Sequence, residues 1–565
     1  MDQPKKVQEF EAFVRSERKG LSRRDFLRHG LALGLSIPAA SGVIATILGA
    51  PARVFAQDAT EAATEMAAKG GQGTLVAEQS GDPVSFNPDY TIDDYGYPIA
   101  FNTHSMLVTL NQGVEVVPDL AETWETSDDG LQITFHLVKN AMWHDGKPVT
   151  SADVKWTYEK IVATEGAPGR DNMVMLDHIN TPDDYTAVFV LKTPSSQFLG
   201  FLAWYATFVL PKHLYDGTDW STNPVNQKPI GSGPFKFVEY VSGDHVTLEA
   251  NPDYYAEGPY LDRVVYRIIP DAATLEQAML NDEVDVDISG IFPTDSLPNI
   301  EKDGRFTTVP KVYASNLYLV FNFGREITGK LEVRKAIGEA INRAEIIERG
   351  LSGAGSPVNT YYTPVIAWAN NTDATAPDFN IEDSKKLLDA AGYPVKADGY
   401  RFKLSFPYLA FGDAWRSTAQ VIQAQLRAVG IDTDLVELEP SAWNARVSTD
   451  DNYDISYLGG FLGPGPGALK NRYGTGGGIN FWHYSNADVD KLLDEAASDP
   501  SADDATAKYK QVQALLAKDI ASIPFSGAAT TFVYRKELSG FSVPGDPVGD
   551  ILGFGNFARV QRAAE

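Results

Sequence analysis

Alternating apolar and polar positions predict β-strands in the first half of the chain. Residues 131–137 read Leu-Gln-Ile-Thr-Phe-His-Leu, which is the pattern of a strand with one buried face. Residues 185–191 and 263–269 are also strand-like but contain fewer polar residues, which predicts strands that are more deeply buried. Turn residues, among them Asp82-Pro83 and Asn251-Pro252, separate these runs.

A helical period is clear in the second half of the chain. Apolar residues within 333–341 follow the i, i+3, i+4, i+7 spacing of one helix face. Two further helices, around 387–388 and 421–426, are predicted to end at Gly392 and Gly430. Each is followed by a strand candidate, namely 402–406 and 431–436. The order of helix, glycine stop and strand indicates an α/β fold.

One helix start is predicted in more detail. Thr150 is a plausible N-cap, and Asp153 follows three residues later, which is a variant of the capping box. Such a cap stabilises a helix by about 1 kcal/mol. Val154, Tyr158 and Ile161 then mark the buried face of the helix.

Composition narrows the class of protein. The chain has 565 residues, 43% hydrophobic and 22% charged, which indicates a globular protein of about three packing units. The formal net charge of -27 argues against nucleic acid as a partner, because phosphate binding requires clustered Lys and Arg. The absence of cysteine excludes disulfides, cysteine-based zinc sites, thiol catalysis and a lipidated N-terminal cysteine.

The N-terminal segment predicts export. Residues 22–28 (Ser-Arg-Arg-Asp-Phe-Leu-Arg) resemble the bacterial twin-arginine motif, an uncharged stretch follows at 30–52, and small residues precede Ala56. We therefore predict a signal peptide over 1–56 that is cleaved after Ala56, a disordered leader over 57–73, and a periplasmic location. The alternative is an uncleaved anchor, since a helix rising about 1.5 Å per residue could just span about 30 Å of hydrocarbon there.

Sequence motifs of common enzymes are missing from the chain. It contains no G-x-S-x-G, H-E-x-x-H or P-loop pattern, and the glycines of 474–478 neither follow a strand nor open a helix. His144 is interpreted as a turn histidine beside Trp143, and Asp285 and Asp287 as the end of a strand without calcium-loop spacing. We expect no enzyme, no cofactor and no metal site. A hydrolase stays open as an alternative, because paired carboxylates could arise among 75 acidic residues.

Short motifs occur along the chain in a consistent order. They are Pro-Asp-Leu-Ala-Glu-Thr-Trp at 118–124, Trp-His-Asp-Gly-Lys-Pro-Val-Thr at 143–150, Pro-Ile-Gly-Ser-Gly-Pro-Phe at 229–235, Asn-Pro-Asp-Tyr-Tyr at 251–255, Glu-Val-Asp-Val-Asp at 283–287, Val-Arg-Lys-Ala-Ile at 333–337, Gly-Ile-Asp at 430–432 and Asn-Ala-Asp-Val-Asp-Lys-Leu-Leu at 486–493. Together they resemble the ABC-transporter extracellular solute-binding proteins of family 5, the peptide/nickel/opine class.

The resemblance implies an α/β fold: a two-lobed, periplasmic-binding-protein-like clamshell (type II) with an extra subdomain inserted in lobe I. It implies lobe I over 74–312, the insert at about 113–228, lobe II over 313–529, and a return to lobe I over 530–565. The lobes would close by hinge motion near Val312-Tyr313 and Ala529-Thr530. It also implies a monomer that delivers a small organic ligand to ABC permease subunits of the inner membrane.

Relatives suggest which residues contact the ligand. The expected set is Trp443, Tyr457, Phe461, Trp482, Tyr95, Tyr97, Asn316 and Arg416. Peptide-binding relatives hold the peptide ammonium with an acidic residue shortly after the aromatic at Phe461, and this chain has none there. We therefore expect an oligosaccharide- or opine-like ligand, although a charged ligand could use Arg416 or Arg472. The alternatives are an oligopeptide or dipeptide ligand and, in another class, a periplasmic chaperone or scaffold.

Overall fold

The computed structural model describes residues 71–90, 95–111, 114–204, 206–460, 463, 465–541 and 556–563. The signal peptide expected over 1–56, the leader as far as residue 70, and the predicted ligand residue Phe461 lie outside these residues. Within the described part of the chain, no helix has the length and apolar character needed to cross a membrane.

The α-helices of the described residues are numbered here in chain order. They are α1 (Tyr97–Thr103), α2 (Ser151–Ala163), α3 (Phe198–Phe201), α4 (Lys212–Tyr215), α5 (Ala272–Leu280), α6 (Leu297–Asp303), α7 (Leu331–Ala340), α8 (Arg343–Glu345), α9 (Ile381–Ala390), α10 (Asp413–Ala428), α11 (Pro440–Asn444), α12 (Ala468–Tyr473), α13 (Ala487–Ala497) and α14 (Ala502–Asp519). The helices predicted from the apolar period are α7, α9 and α10, and all three are confirmed.

The predicted helix cap is also confirmed. The capping box of α2 is complete: the Thr150 backbone N–H donates to Asp153 Oδ2 at 2.9 Å. The Thr150 hydroxyl donates to the same oxygen at 3.0 Å. Val154, Tyr158 and Ile161 are fully buried on the inner face of α2.

The strands follow the same numbering convention. They are β1 (Thr74–Gln79), β2 (Val108–Leu110), β3 (Val116–Pro118), β4 (Ala121–Thr126), β5 (Gln132–Leu137), β6 (Leu176–Asp183), β7 (Thr186–Leu191), β8 (Phe235–Val241), β9 (His245–Ala250), β10 (Arg263–Ile268), β11 (Val286–Asp287), β12 (Phe306–Phe321), β13 (Gly355–Pro357), β14 (Phe402–Leu409), β15 (Ile431–Leu438), β16 (Ile455–Leu458), β17 (Ser522–Arg535), β18 (Leu538–Ser539) and β19 (Gln561–Arg562). The predicted strands β5, β7, β10, β14 and β15 are present within one to three residues of their expected ends.

One large sheet connects distant parts of the chain. Its strand order is β16-β12-β17-β11-β1-β10-β9-β8, and β13 also pairs with β17. Strand β1 lies between β10 and β11 and is parallel to both. After β17, the chain stays on this part of the fold, since the Phe557 N–H donates to Asn102 Oδ1 and Arg562 bonds Asp285.

Smaller sheets flank the large one. The antiparallel sheet β4-β5-β7-β6 lies against α2 and carries the alternating strand predicted at 131–137. Strands β14 and β15 form a separate parallel pair, connected through α10. The helix between two parallel strands is the α/β arrangement that the sequence pattern predicted.

Candidate functional site

Two long strands, β12 and β17, pair along most of their length. They connect the β16 end of the large sheet to the end that contains β11, β1, β10, β9 and β8. Near the end of β17, Tyr534 pairs with Val286 of β11. In the other direction, Tyr318 of β12 pairs with Leu458 of β16. The β12–β17 register shifts between Val312 and Asn316. The two strands therefore change outer partners on either side of an irregularity in their own ladder.

Trp443 and Trp482 lie in one aromatic group. The ring of Phe481 packs edge-to-face against both, at centroid distances of 5.3 Å from Trp443 and 5.1 Å from Trp482. The indole N–H of Trp443 donates to Ser456 Oγ at 3.2 Å. The structure therefore brings together two of the aromatic residues that the sequence placed in the ligand site.

Tyr457 lies on the opposite face of β16, because it follows Ser456 in an extended strand. Its ring stacks on Trp415 at 4.8 Å, and its hydroxyl donates to the Trp415 carbonyl oxygen at 2.5 Å. Only 1% of Tyr457 is exposed. Its contacts in this structure are those of a packed side chain with its polar atom bonded.

The other expected residues are dispersed. Tyr97 begins α1 and stacks on Phe208 at 6.4 Å, and Tyr95 lies beside Gly81 with 36% of its surface exposed. Arg416 is half-exposed and donates twice to Glu437, at 3.0 Å to each carboxylate oxygen. The described partners of these three side chains, namely Phe208, Gly81 and Glu437, lie outside the Trp443–Trp482 group.

Two buried polar side chains contact Tyr318, and a third lies on the same face of its strand. Asn316 precedes Tyr318 by two residues on β12 and shares its face, Trp482 packs edge-to-face on Tyr318 at 6.3 Å, and the Arg472 guanidinium lies 4.8 Å from the Tyr318 ring. Asn316 Oδ1, Trp482 Nε1 and Arg472 Nε have no hydrogen-bond partner in the described structure. We call Asn316, Arg472 and Trp482 the polar cluster. The sequence offers Arg472 only as an optional partner for a charged ligand and gives no sign that this residue is buried.

A cavity of about 360 Å³ lies elsewhere, between the segment around α3 and helix α14. Its lining is mostly apolar: Val114, Val116, Leu199, Trp368, Pro466, Ala502, Ala505, Thr506 and Tyr509. At its rim, Gln197 Nε2 donates to the Tyr509 hydroxyl at 2.6 Å, and Ser196 Oγ donates to the Ala496 carbonyl at 2.8 Å. The sequence carried no recognisable signal for this cavity, because its lining comes from five separate segments.

The family model described as bacterial extracellular solute-binding proteins, family 5 Middle, matches residues 115–479, more than half of the chain. The chain belongs to this family. The oligopeptide-binding protein AppA of Bacillus subtilis (strain 168) is 30% identical over 465 residues, covering 79% of this chain and 84% of AppA. This solute-binding protein is accordingly the ligand-binding component of an ABC importer.

Solved structures agree with this assignment. The ABC transporter substrate binding protein CtaP from Listeria monocytogenes has a TM-score of 0.77 at 27% identity, over 88% of this chain and 100% of CtaP. AgaA from A. tumefacien R10, in complex with agropinic acid, has a TM-score of 0.68 at 28% identity, over 87% of this chain and 99% of AgaA. The solute-binding protein thus has the expected two-lobed α/β clamshell.

Two further groups singled out in the sequence have local partners in the solute-binding protein. His144 Nε2 lies 3.1 Å from the Gly233 carbonyl oxygen, and the Gly231 N–H donates to its Nδ1 at 3.3 Å. Burial lowers the pKa of His144 to about 4, so the ring is neutral near pH 7. Asp287 accepts the N–H groups of the loop after β11, including Gly290 at 2.7 Å. Within the described residues, no group of three potential ligands could hold a metal ion.

Proposed function

We propose that this solute-binding protein closes on its ligand by bending β12 and β17. Lobe I would comprise 74–312 and 530–565, with the insert at about 113–228, and lobe II would comprise 313–529. The register shift between Val312 and Asn316 supports this division, because it interrupts the ladder at the proposed boundary. A few residues at the ends of elements are enough to absorb the dihedral changes of a hinge.

The cavity beside α14 carries the proposal that the ligand is held between the lobes. With these boundaries, Ser196 and Gln197 belong to the insert in lobe I, whereas Ala496 and Tyr509 belong to lobe II. Their two hydrogen bonds then join the lobes and close the rim of a cavity of about 360 Å³. Pockets of about 300–1,000 Å³ at domain interfaces are typical of small-molecule sites.

For the ligand, we propose an amino-acid derivative, either a peptide or an opine. AppA is named for oligopeptides, and AgaA was solved with agropinic acid. From the sequence we expected an oligosaccharide- or opine-like ligand, with a peptide as the alternative. The relatives favour a peptide or an opine over an oligosaccharide. The sequence still lacks an acidic residue shortly after Phe461, which argues against a ligand that needs a charge partner for an ammonium group there.

We further propose that the protein is exported by the twin-arginine route, is cleaved after Ala56, and works in the periplasm as a monomer. Docking to the permease would follow closure, because a ligand shifts the equilibrium toward the state that binds it better. The support is the motif at 22–28 and the small residues before the cleavage point. N-terminal sequencing of the periplasmic protein tests this, and an intact Met1 end there would contradict it.

Native mass spectrometry of protein purified without refolding tests the ligand proposal, since a trapped ligand is weighed directly. Binding of the identified compound is then measured calorimetrically for Thr506→Trp, which fills the cavity beside α14. We expect this variant to lose at least about tenfold in affinity, because a large side chain prevents closure around the ligand. Ala507→Trp, at the exposed neighbouring position, is the control and should bind normally.

Three results would contradict the proposal. Equal affinity of Thr506→Trp and Ala507→Trp would separate the cavity from ligand binding. The absence of any trapped ligand, together with no thermal shift across peptides, opines and oligosaccharides, would favour a chaperone or scaffold, since a bound ligand stabilises by about 2.7 kcal/mol at 100-fold excess over Kd. Turnover of a peptide or oligosaccharide would revive the hydrolase alternative.

A further inference from the structure

Four arginines of the described residues are more than nine-tenths buried: Arg334, Arg401, Arg472 and Arg535. Three have acceptors. Arg334 donates to four backbone carbonyls, including Gly329 at 2.7 Å, Arg401 pairs with Asp389, and Arg535 pairs with Asp282 and Asp285. Arg472, with 5% exposure, has neither a hydrogen bond nor an ion pair within the described part of the chain. Of these four buried arginines, Arg472 alone lacks an acceptor among the described residues.

Gly460 lies beside the Arg472 guanidinium. A Cβ built on Gly460 would meet one atom within 4 Å, Arg472 Nη2 at 3.6 Å. Gly460 itself is held next to the shift in the β12–β17 register, because its N–H donates to Ser315 Oγ at 3.2 Å. The Arg472 guanidinium therefore lies between Tyr318 and the glycine pair that ends β16, close to the proposed hinge.

A buried cation without an acceptor is unfavourable, because desolvation of its charge is not offset by pairing. The stacking on Tyr318 supplies only part of that stabilisation. The polar cluster offers two donors, Arg472 Nε and Trp482 Nε1, and one acceptor, Asn316 Oδ1. This combination fits a carboxylate with an N–H group nearby, as in the last residue of a peptide or in an opine.

We propose that Arg472 binds a carboxylate group of the transported ligand, with Trp482 donating to the same group and Asn316 accepting from a ligand N–H. The assignment rests on the proposed function and makes it more specific: the polar cluster lies outside the described lining of the cavity beside α14 and would be a second contact region for the same ligand. The protein would thus bind an anionic group although its own formal net charge is -27. Charge-assisted pairing to an arginine is the strongest hydrogen bonding available to such a group.

The first test needs no ligand. Arg472→Met removes a charge that has no partner, so we expect the melting temperature of the ligand-free protein to rise by about 2 °C or more. Arg334→Met is the matched control, since Arg334 is equally buried but donates to four carbonyls, and this variant should melt lower. A lower melting temperature for Arg472→Met, or its failure to fold while Arg472→Lys folds, would overturn the proposal.

The second test uses a tryptic digest of casein, the same digest after methyl esterification, and agropinic acid. Native mass spectrometry should detect complexes with peptides of the untreated digest or with agropinic acid, and no complexes with the methyl esters. Which of the two probes binds shows whether the carboxylate belongs to a peptide or to an opine. Arg472→Met should lose these complexes with at least about a 30-fold rise in Kd, and Arg472→Lys should lose less.

Retention of the esters by the wild-type protein would overturn the role of Arg472 while leaving ligand capture between the lobes intact. If no probe of any class binds, the proposed function fails, and the melting temperature of Arg472→Met then decides by itself whether Arg472 is a structural residue.

Discussion

At the scale of single residues, Glu78 and Asp287 form a buried pair of carboxyl groups at the ends of β1 and β11. Glu78 is fully buried, and Asp287 likewise. Burial, together with the neighbouring Asp287, raises the pKa of Glu78 from 4.5 to about 9. Burial raises the pKa of Asp287 as well. Glu78 therefore holds a proton at neutral pH that a solvated carboxyl group would release.

This pair makes stability depend on pH in a definite direction. The folded pKa of Glu78 lies above its unfolded value, so its contribution is complete below about pH 4.5 and is lost as the pH rises through about 9. Glu78→Gln cannot ionise, so we expect its melting temperature to fall less than that of the wild type between about pH 5 and about pH 9, by about 2 °C or more.

Differential scanning calorimetry across this range measures the effect. Glu122→Gln, at an exposed position on β4, is the control and should keep the wild-type profile. If the melting temperatures of the wild type and Glu78→Gln fall by the same amount between these pH values, the buried pair does not control the loss of stability at alkaline pH.

At the scale of elements, the start of α2 depends on Asp153 more than on Thr150. Asp153 Oδ2 accepts from both the backbone and the hydroxyl of Thr150, and its Oδ1 accepts from the Lys212 N–H at 3.0 Å. One carboxylate thus caps α2 and ties it to the start of α4. Sequence patterns identified the cap but not the bond to α4, which joins residues 59 positions apart.

We expect Asp153→Ala to lower the free energy of unfolding by about 2 kcal/mol and Thr150→Ala by about 1 kcal/mol, because only the former also removes the bond to Lys212. Urea unfolding measures both. Ala152→Ser, at an exposed position of the same turn, is the control and should stay within about 0.5 kcal/mol of the wild type. Losses of equal size for the two capping variants would mean that the Lys212 bond adds nothing.

At the scale of the whole molecule, Gly467 lies where the proposed lobes meet. A Cβ built on Gly467 would be 1.4 Å from Gln197 Oε1, so any larger residue must displace the Gln197 amide from Tyr509. We expect Gly467→Ala to weaken ligand binding about fivefold, which corresponds to the loss of about one hydrogen bond in the closed state. Calorimetric titration with the ligand found by native mass spectrometry measures the change.

A double-mutant comparison shows whether Gly467→Ala weakens ligand binding by displacing Gln197 or by another effect. Gln197→Ala should weaken binding by a similar factor, and adding Gly467→Ala to it should have no further effect, since the side chain that clashes is gone. Additive losses would mean that Gly467 acts through some contact other than Gln197.

The sequence determined the local elements and the family of this protein. The period of apolar residues predicted β5, α7, α9 and α10, and the capping residues predicted the start of α2, because these depend on side chains within a few positions of one another. The ordered motifs from 118 to 493 identified the solute-binding family, since that evidence is the order of short segments along the chain.

Only the tertiary structure decided which side chains meet and which keep a free polar atom. Tyr457 and Trp482 are similar aromatic candidates in the sequence. Tyr457 donates to Trp415, whereas the Trp482 N–H, beside Tyr318, has no acceptor among the residues that the structure describes. Arg334 and Arg472 are equally buried and differ only in acceptors brought from distant segments. Burial and hydrogen bonding of this kind depend on long-range packing, which no local pattern encodes.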